Sequence, residues 1–204
     1  MTLFDEEIET FARRWGQPRF VEKQIAVAAG LKEETVRDFF SDRRGEVVMV
    51  IQRAMDGLVW VMTKASFPVG LYSLPTGGIQ RHEGIAEALR RELAEETGFE
   101  VHVERFLAVI RYVPIPASGD PQNVPDMLSF AFLLDEESGQ APVVSCGEKI
   151  LNFKAITPTE LGAIAQQWRT LSGSSAEFHD LVAWGKFRSL THQVVLETLS
   201  SKEI

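Results

Sequence analysis

Three glutamates, Glu92, Glu95 and Glu96, stand at i, i+3 and i+4 of a segment patterned as a helix. That spacing puts three carboxylates on one helix face. Like charges so placed repel, and a helix that only packs gains nothing from them. A hard divalent cation neutralises them, since Mg²⁺ takes carboxylate and water oxygens and accepts phosphate oxygens into the rest of its shell. Such a cation also lowers the proton affinity of nearby carboxylates and polarises water. On the same segment Ile85, Ala88, Leu89 and Leu93 make an opposite, apolar side suited to packing on a sheet. Glycines precede the helix, where a backbone without Cβ can approach a ligand closely, and Gly98 stops it. Taken alone, the glutamates also suit a solvated amphipathic helix, so their surroundings decide.

Those surroundings are specific. Gly77, Glu83, Arg91, Glu92, Leu93, Glu95, Glu96, Gly98 and Phe99 follow a fixed pattern: glycine, a five-residue gap, glutamate, a seven-residue gap, then arginine-glutamate-aliphatic-any-glutamate-glutamate-any-glycine-apolar. At average residue frequencies a chance match in a chain this long is on the order of 10⁻⁷. The stretch resembles the Nudix box, and the likeness extends over about residues 45–165. Leu74-Pro75-Thr76-Gly77 is similar to the family's leucine-proline-glycine-glycine entry, with Thr76 in place of the first glycine. Lys64 ends a strand where many relatives carry a phosphate-contacting arginine. Glu148-Lys149-Ile150 and Pro158-Thr159-Glu160-Leu161 resemble the family's later acidic loop, strand and short helix.

The resemblance implies a Nudix-type α/β/α sandwich around a mixed sheet. It also implies hydrolysis of a phosphoanhydride bond in a nucleoside diphosphate linked to another moiety, with Mg²⁺ as cofactor and Mn²⁺ as a substitute. Glu92 and Glu96 are the implied primary metal ligands, Glu95 shares the cluster, and a backbone carbonyl of Thr76 or Gly77 adds a further ligand. Glu92, Glu95 and Arg91 form the catalytic set, with Arg91 paired to Glu83. Lys64 would stabilise the leaving phosphate. Glu148 is the candidate base, its other reading being a solvent-exposed loop acid. One departure bears on Glu83. Relatives carry glycine just before it, whereas here His82 precedes it and Gly84 follows; His82 is read as a loop histidine and not as a ligand.

Specificity is less legible. Pro114 lies sixteen residues after Gly98, which resembles a marker of ADP-ribose pyrophosphatases and equally suits loop punctuation. Trp60, Phe67, Tyr72, Phe106 and Tyr112 include candidates for stacking a base, although aromatics at such spacing usually form core. Lys64, Arg111, Tyr112 and Pro114 are the candidate substrate contacts, with ADP-ribose or a nucleoside diphosphate sugar as substrate. The fold also hosts an isoprenoid diphosphate isomerase, but Cys146 lies outside the region where that reaction needs its cysteine.

The elements that must position these groups follow from periodicity. Residues 47–51 and 58–62, apolar runs around Met55-Asp56-Gly57, predict a hairpin. Residues 68–84 and 114–125 read as loops. Ile85–Thr97, 158–167 and 176–199 read as helices, the last bent at Gly185. Residues 99–113, 128–134 and Ile150–Ile156 read as strands. This alternation argues for an α/β layered domain over residues 45–204. Before it, Phe4, Ile8 and Phe11 recur at helical spacing, and residues 20–29 and 33–40 read as two more helices separated at Gly30. Residues 1–44 are therefore expected as a small all-α extension. Ile25-Ala26, Gly30 and Val36 fall on helix-turn-helix spacing, which makes a nucleotide-sensing DNA-binding regulator the alternative function. Against it, Glu33, Glu34 and Asp38 on the would-be recognition helix repel phosphates. A cap, lid or homodimer contact is the preferred expectation.

The net charge of −8 and a pI near 5.1 disfavour polyanion binding without a local basic patch. A phosphorylated small molecule still binds if cations lie between it and the protein. No run approaches the ~20 apolar residues of a membrane span, and residues 1–9 lack a basic flank and an apolar segment, so neither a membrane partner nor a signal peptide is expected. Cys146 is the single cysteine, which excludes an intrachain disulfide and fits a cytoplasmic setting.

Overall fold

The apolar run after residue 45 serves two cores at once. In strand β2 (Arg43–Arg53), Val47, Met49 and Ile51 pack on one face of the sheet and Val48 and Val50 on the other, all fully buried. A strand covered on both faces reads as a continuous apolar run. The computed structural model describes residues 4–27, 43–116, 126–143, 149–172 and 176–201. Its other strands are β1 (Arg19–Val27), β3 (Val59–Lys64), β4 (Thr76–Gln80), β5 (His102–Pro116), β6 (Met127–Glu136) and β7 (Ile150–Ile156). They form one mixed sheet in the order β1-β5-β6-β2-β3-β7, with β4 also paired to β2. Helices α1 (Asp5–Trp15) and α2 (Ile85–Thr97) supply one core. Helices α3 (Leu161–Arg169) and α4 (Ala176–Ser200) supply the other. This is the expected α/β/α sandwich. No helix among the described residues is long and apolar enough to cross a membrane.

Helix α2 keeps the bounds its pattern predicts. Ile85, Ala88, Leu89 and Leu93 are buried against the sheet, and Gly98 ends the helix in the left-handed conformation (φ 67°), its N–H donating to the Ala94 carbonyl. The predicted hairpin forms between β2 and β3. Beyond it β2 changes partner: its first half pairs with β4, from Arg43↔Gln80 to Val48↔Thr76, while β3 runs on with β7. Residues of both β3 and β4 line a cavity.

Three expectations need correction. Residues 68–84 are not all loop, because Thr76–Gln80 is strand β4; Gly77 and Gly78 hide its pattern, since glycine has no side chain to alternate. Residues 114–116, also assigned to a loop, continue β5. Residues 20–27, expected as helix, are strand β1, paired in parallel with β5. Val21 and Ile25 stand four apart, a spacing shared by a helix face and a strand face, and the open edge of β5 settles it by supplying backbone partners. The N-terminal segment is therefore not an all-α extension, and the first helix of the proposed helix-turn-helix is absent. The third expected helix, 33–40, lies outside the described residues.

Helix α1 does form, and it joins the core. Phe4 meets Phe130 edge-on at 5.0 Å, and Phe11 meets Phe106 and Phe132 at 6.0 and 5.9 Å. From this helix Glu7 Oε1 accepts the Ile85 backbone N–H at 2.9 Å, capping α2 from outside its own chain segment. A Cβ at Gly84 would stand 2.8 Å from that oxygen, so Gly84 keeps the cap in place. Glu7→Ala is expected to lower stability by about 1 kcal/mol, read from the urea midpoint. Glu7→Gln, whose amide oxygen still accepts, should retain most of it. Equal losses in both variants would contradict the cap.

Candidate functional site

Four carboxylates of the Nudix-like stretch meet at one arginine and one lysine. Arg91 Nε and Nη2 donate to Glu83 Oε1 and Oε2 at 2.7 and 2.9 Å, as expected for that pair. Nη2 also reaches the Gly78 carbonyl at 2.9 Å, while Nη1 donates to Glu92 Oε1 at 2.8 Å and Glu95 Oε2 at 3.0 Å. Lys64 Nζ donates to Glu96 Oε1 at 2.7 Å, and Glu96 is 1% exposed. Arg91 thus ties helix α2 to both strand β4 and the loop before the helix. Its hydrogen bonds hold the Glu83 carboxyl below the usual range. Burial pushes the Glu92 carboxyl up, only partly offset by Arg91. Gly77 lies flush on Glu92: a Cβ there would be 1.9 Å from Glu92 Cγ. His82 is exposed, and the shift of glycine from before Glu83 to after it leaves the Arg91–Glu83 pair intact.

These groups line one end of a cavity of about 1260 Å³. Its wall includes Lys64, Thr76, Gly77, Arg91, Glu92, Glu95 and Glu96, which are most of the residues chosen from the sequence. Two of the remaining choices, Arg111 and Tyr112, do not line it. Arg111 is exposed on β5 and pairs with Asp126 and with Glu22 of the neighbouring strand β1. Tyr112 is core: it is 2% exposed, packs on Phe187 and bonds Thr191 through its hydroxyl at 2.7 Å. Neither lines the cavity, because β5 lies two strands away from β2 and its side chains face the core or the solvent. Pro114 pairs through its backbone with Ile25 of β1, and its side chain lies outside the described ones, as do Glu148 and Cys146.

The model of the NUDIX domain matches residues 40–178, well over half of the chain. The chain belongs to the Nudix family. No curated protein matches it in sequence. Among solved structures it is similar to the dihydroneopterin triphosphate pyrophosphohydrolase of E. coli (15% identity, 70% of this chain and 94% of that one, TM-score 0.46). It is also similar to a C. elegans Ap4A hydrolase (18% identity, 70% and 96%, TM-score 0.45) and a MutT Nudix hydrolase from Burkholderia pseudomallei (24% identity, 57% and 84%, TM-score 0.41).

Nudix hydrolases use divalent metals, and the donor set here fits one. Carboxylate and backbone carbonyl oxygens are the hard ligands Mg²⁺ takes. Four carboxylates, Glu83, Glu92, Glu95 and Glu96, gather around Arg91 and Lys64 on this part of the wall. Among the described residues no three side chains already stand as a closed cage, because Glu92 and Glu95 turn to Arg91 and Glu96 turns to Lys64.

Sequence reading missed the far wall of the Nudix cavity, which helix α4 supplies through Trp184 and Arg188. One turn on, His192 holds the entry to β4: its Nε2 accepts the Leu74 backbone N–H at 3.0 Å, and its Nδ1 donates to the Arg188 carbonyl at 2.6 Å. The signal was the spacing of Trp184, Arg188 and His192 every four residues along one helix. Burial holds the His192 pKa down at about 4, from an ordinary 6.5. The unfolded chain takes up this proton below pH 6.5, the folded chain only near pH 4. The stability tied to neutral His192 is therefore complete above pH 6.5 and lost as pH falls toward 4, by about 3 kcal/mol for that gap. His192→Gln should show a shallower loss of stability across this window. Parallel pH curves for variant and parent would contradict it.

Proposed function

We propose that this Nudix chain hydrolyses a phosphoanhydride bond in a nucleoside diphosphate linked to a second moiety, with nucleoside diphosphate sugars, ADP-ribose among them, as the substrate class. The observation that carries the reading is the two-ended cavity. Carboxylates on α2 line one end, aromatic and cationic side chains on α4 line the other, and Lys64 and Arg91 lie at the acidic end. A diphosphate at the acidic end leaves the rest of the cavity for the groups it joins.

Glu92, Glu95 and Glu96 would hold Mg²⁺ or Mn²⁺ with a carbonyl of Thr76 or Gly77. When bound, the metal supplies an acidified water and screens the phosphate oxygens. Arg91 keeps Glu83, Glu92 and Glu95 on one side of the cavity and ties them to the Gly78 carbonyl, so the acidic end is pre-organised. Lys64, which sits on the cavity wall 2.7 Å from Glu96, would offer its ammonium to the charge that develops on the departing phosphate. Glu148 stands as the base that takes the proton of the attacking water.

The test is a side-by-side measurement of kcat/KM in Mg²⁺ for nucleoside diphosphate sugars and for nucleoside triphosphates. The diphosphate-linked class should lead by about tenfold or more, roughly 1.4 kcal/mol of transition-state preference. A tenfold lead for triphosphates would overturn the substrate class.

A further inference from the structure

Arg188 is held at the cavity wall by a buried carboxylate. Its Nη1 donates to both oxygens of Glu46, at 3.3 and 3.0 Å. Glu46 is 2% exposed and also accepts from Ser129 Oγ at 2.8 Å. Among the described residues Arg188 makes no other side-chain hydrogen bond, and its side chain faces the cavity. Burying a charged pair costs desolvation that mutual attraction rarely repays, and apolar residues of similar volume stabilise a core as well or better. Fold stability is therefore a weak reason for this pair. What it achieves is a planar guanidinium fixed in place with donors left over. One turn earlier, half-buried Trp184 lines the same cavity, its ring centroid 5.7 Å from Arg188 Cζ. An aromatic face beside a rigid fork of donors suits a planar ligand read along one edge.

We propose that Trp184 and Arg188 form a nucleobase pocket that selects guanine over adenine. The proposal rests on the reading of this cavity as a nucleoside diphosphate site, and it favours guanine over the adenine of ADP-ribose within the same diphosphate-linked class. A guanidinium only donates. Guanine offers two neighbouring acceptors, N7 and O6, spaced for such a fork. Adenine offers N7 beside an N6 amine, which would meet Arg188 donor to donor. Glu46, which is buried and accepts from Arg188 and Ser129, fixes the fork in place.

The test is titration calorimetry of the full chain with GDP and with ADP in Mg²⁺. GDP should bind about tenfold more tightly, or about 1.4 kcal/mol. Arg188→Lys keeps the charge and loses the fork, so it should bring the two affinities within about twofold of each other while ADP binding is retained. Equal binding of GDP and ADP by the parent protein, or a guanine preference that survives Arg188→Lys, would overturn the proposal. A second variant, Glu46→Gln with Arg188→Gln, leaves no carboxylate buried without its cation. If it weakens GDP and ADP by the same factor, Arg188 contacts phosphate and the base pocket is wrong; loss confined to GDP supports it. These readouts do not depend on turnover. Failure to hydrolyse any nucleoside diphosphate sugar would remove the proposed reaction and leave the GDP-to-ADP ratio to stand or fall alone.

Discussion

Glu92→Gln is expected to lower kcat by about 10³-fold or more, roughly 4 kcal/mol, and to leave the protein folded. The carboxylate lies between Gly77 and Arg91, where burial already penalises its charge. An amide of nearly the same volume removes that penalty along with the charge, so the melting temperature of the metal-free protein should hold or rise. On the proposed mechanism the reaction would lose a ligand of the metal that screens the phosphates, a change felt at the transition state and not in the fold. EDTA should mimic the variant in the parent protein, with activity restored by Mg²⁺. Full activity of Glu92→Gln, or of the parent in EDTA, would contradict a metal-assisted mechanism.

A comparable loss should follow from a single methyl group at Gly77. A Cβ there would stand 1.9 and 2.0 Å from Glu92 Cγ and Cδ. Strand β4 is hydrogen-bonded to β2 on that stretch, so the backbone yields less readily than the side chain. Gly77→Ala should therefore swing Glu92 out of the cluster, at little cost to stability and about 10²-fold or more in kcat, because displacement of a positioned group by about 1 Å is enough for such a loss. Thermal melts and kinetics on the same preparation separate the two effects. If kcat is retained, Glu92 does not need its present position. If the protein unfolds, β4 is less tolerant than its contacts indicate.

The acidic end of the site was legible because its parts are close in sequence. Glu92, Glu95 and Glu96 share a helix face by spacing alone, and Arg91 meets Glu83 across one short loop. The far wall was not. Trp184 and Arg188 come from α4, about a hundred residues later, and Glu46, which fixes Arg188, comes from β2, 142 residues before it. No local pattern carries such a pairing. Arg111 and Tyr112 lie off this cavity for the complementary reason. They sit near the box in sequence, but β5 pairs with β1 and β6, which carries it away from the cavity.

Residue order alone is thus enough for helix α2, its carboxylate face, its glycine stop and the hairpin that β2 opens, since each depends on a local pattern. The fate of residues 19–27 needed the whole molecule. Val21 and Ile25 satisfy both helical and extended spacing, and only the unpaired edge of β5 makes the extended form the one in which backbone groups find partners. The same holds for α1, whose Glu7 has no visible task until folding places it against the first amide of α2. The cavity follows the same rule. Its lining comes from β3, β4, α2 and α4, segments far apart in the chain that only the shared sheet brings together.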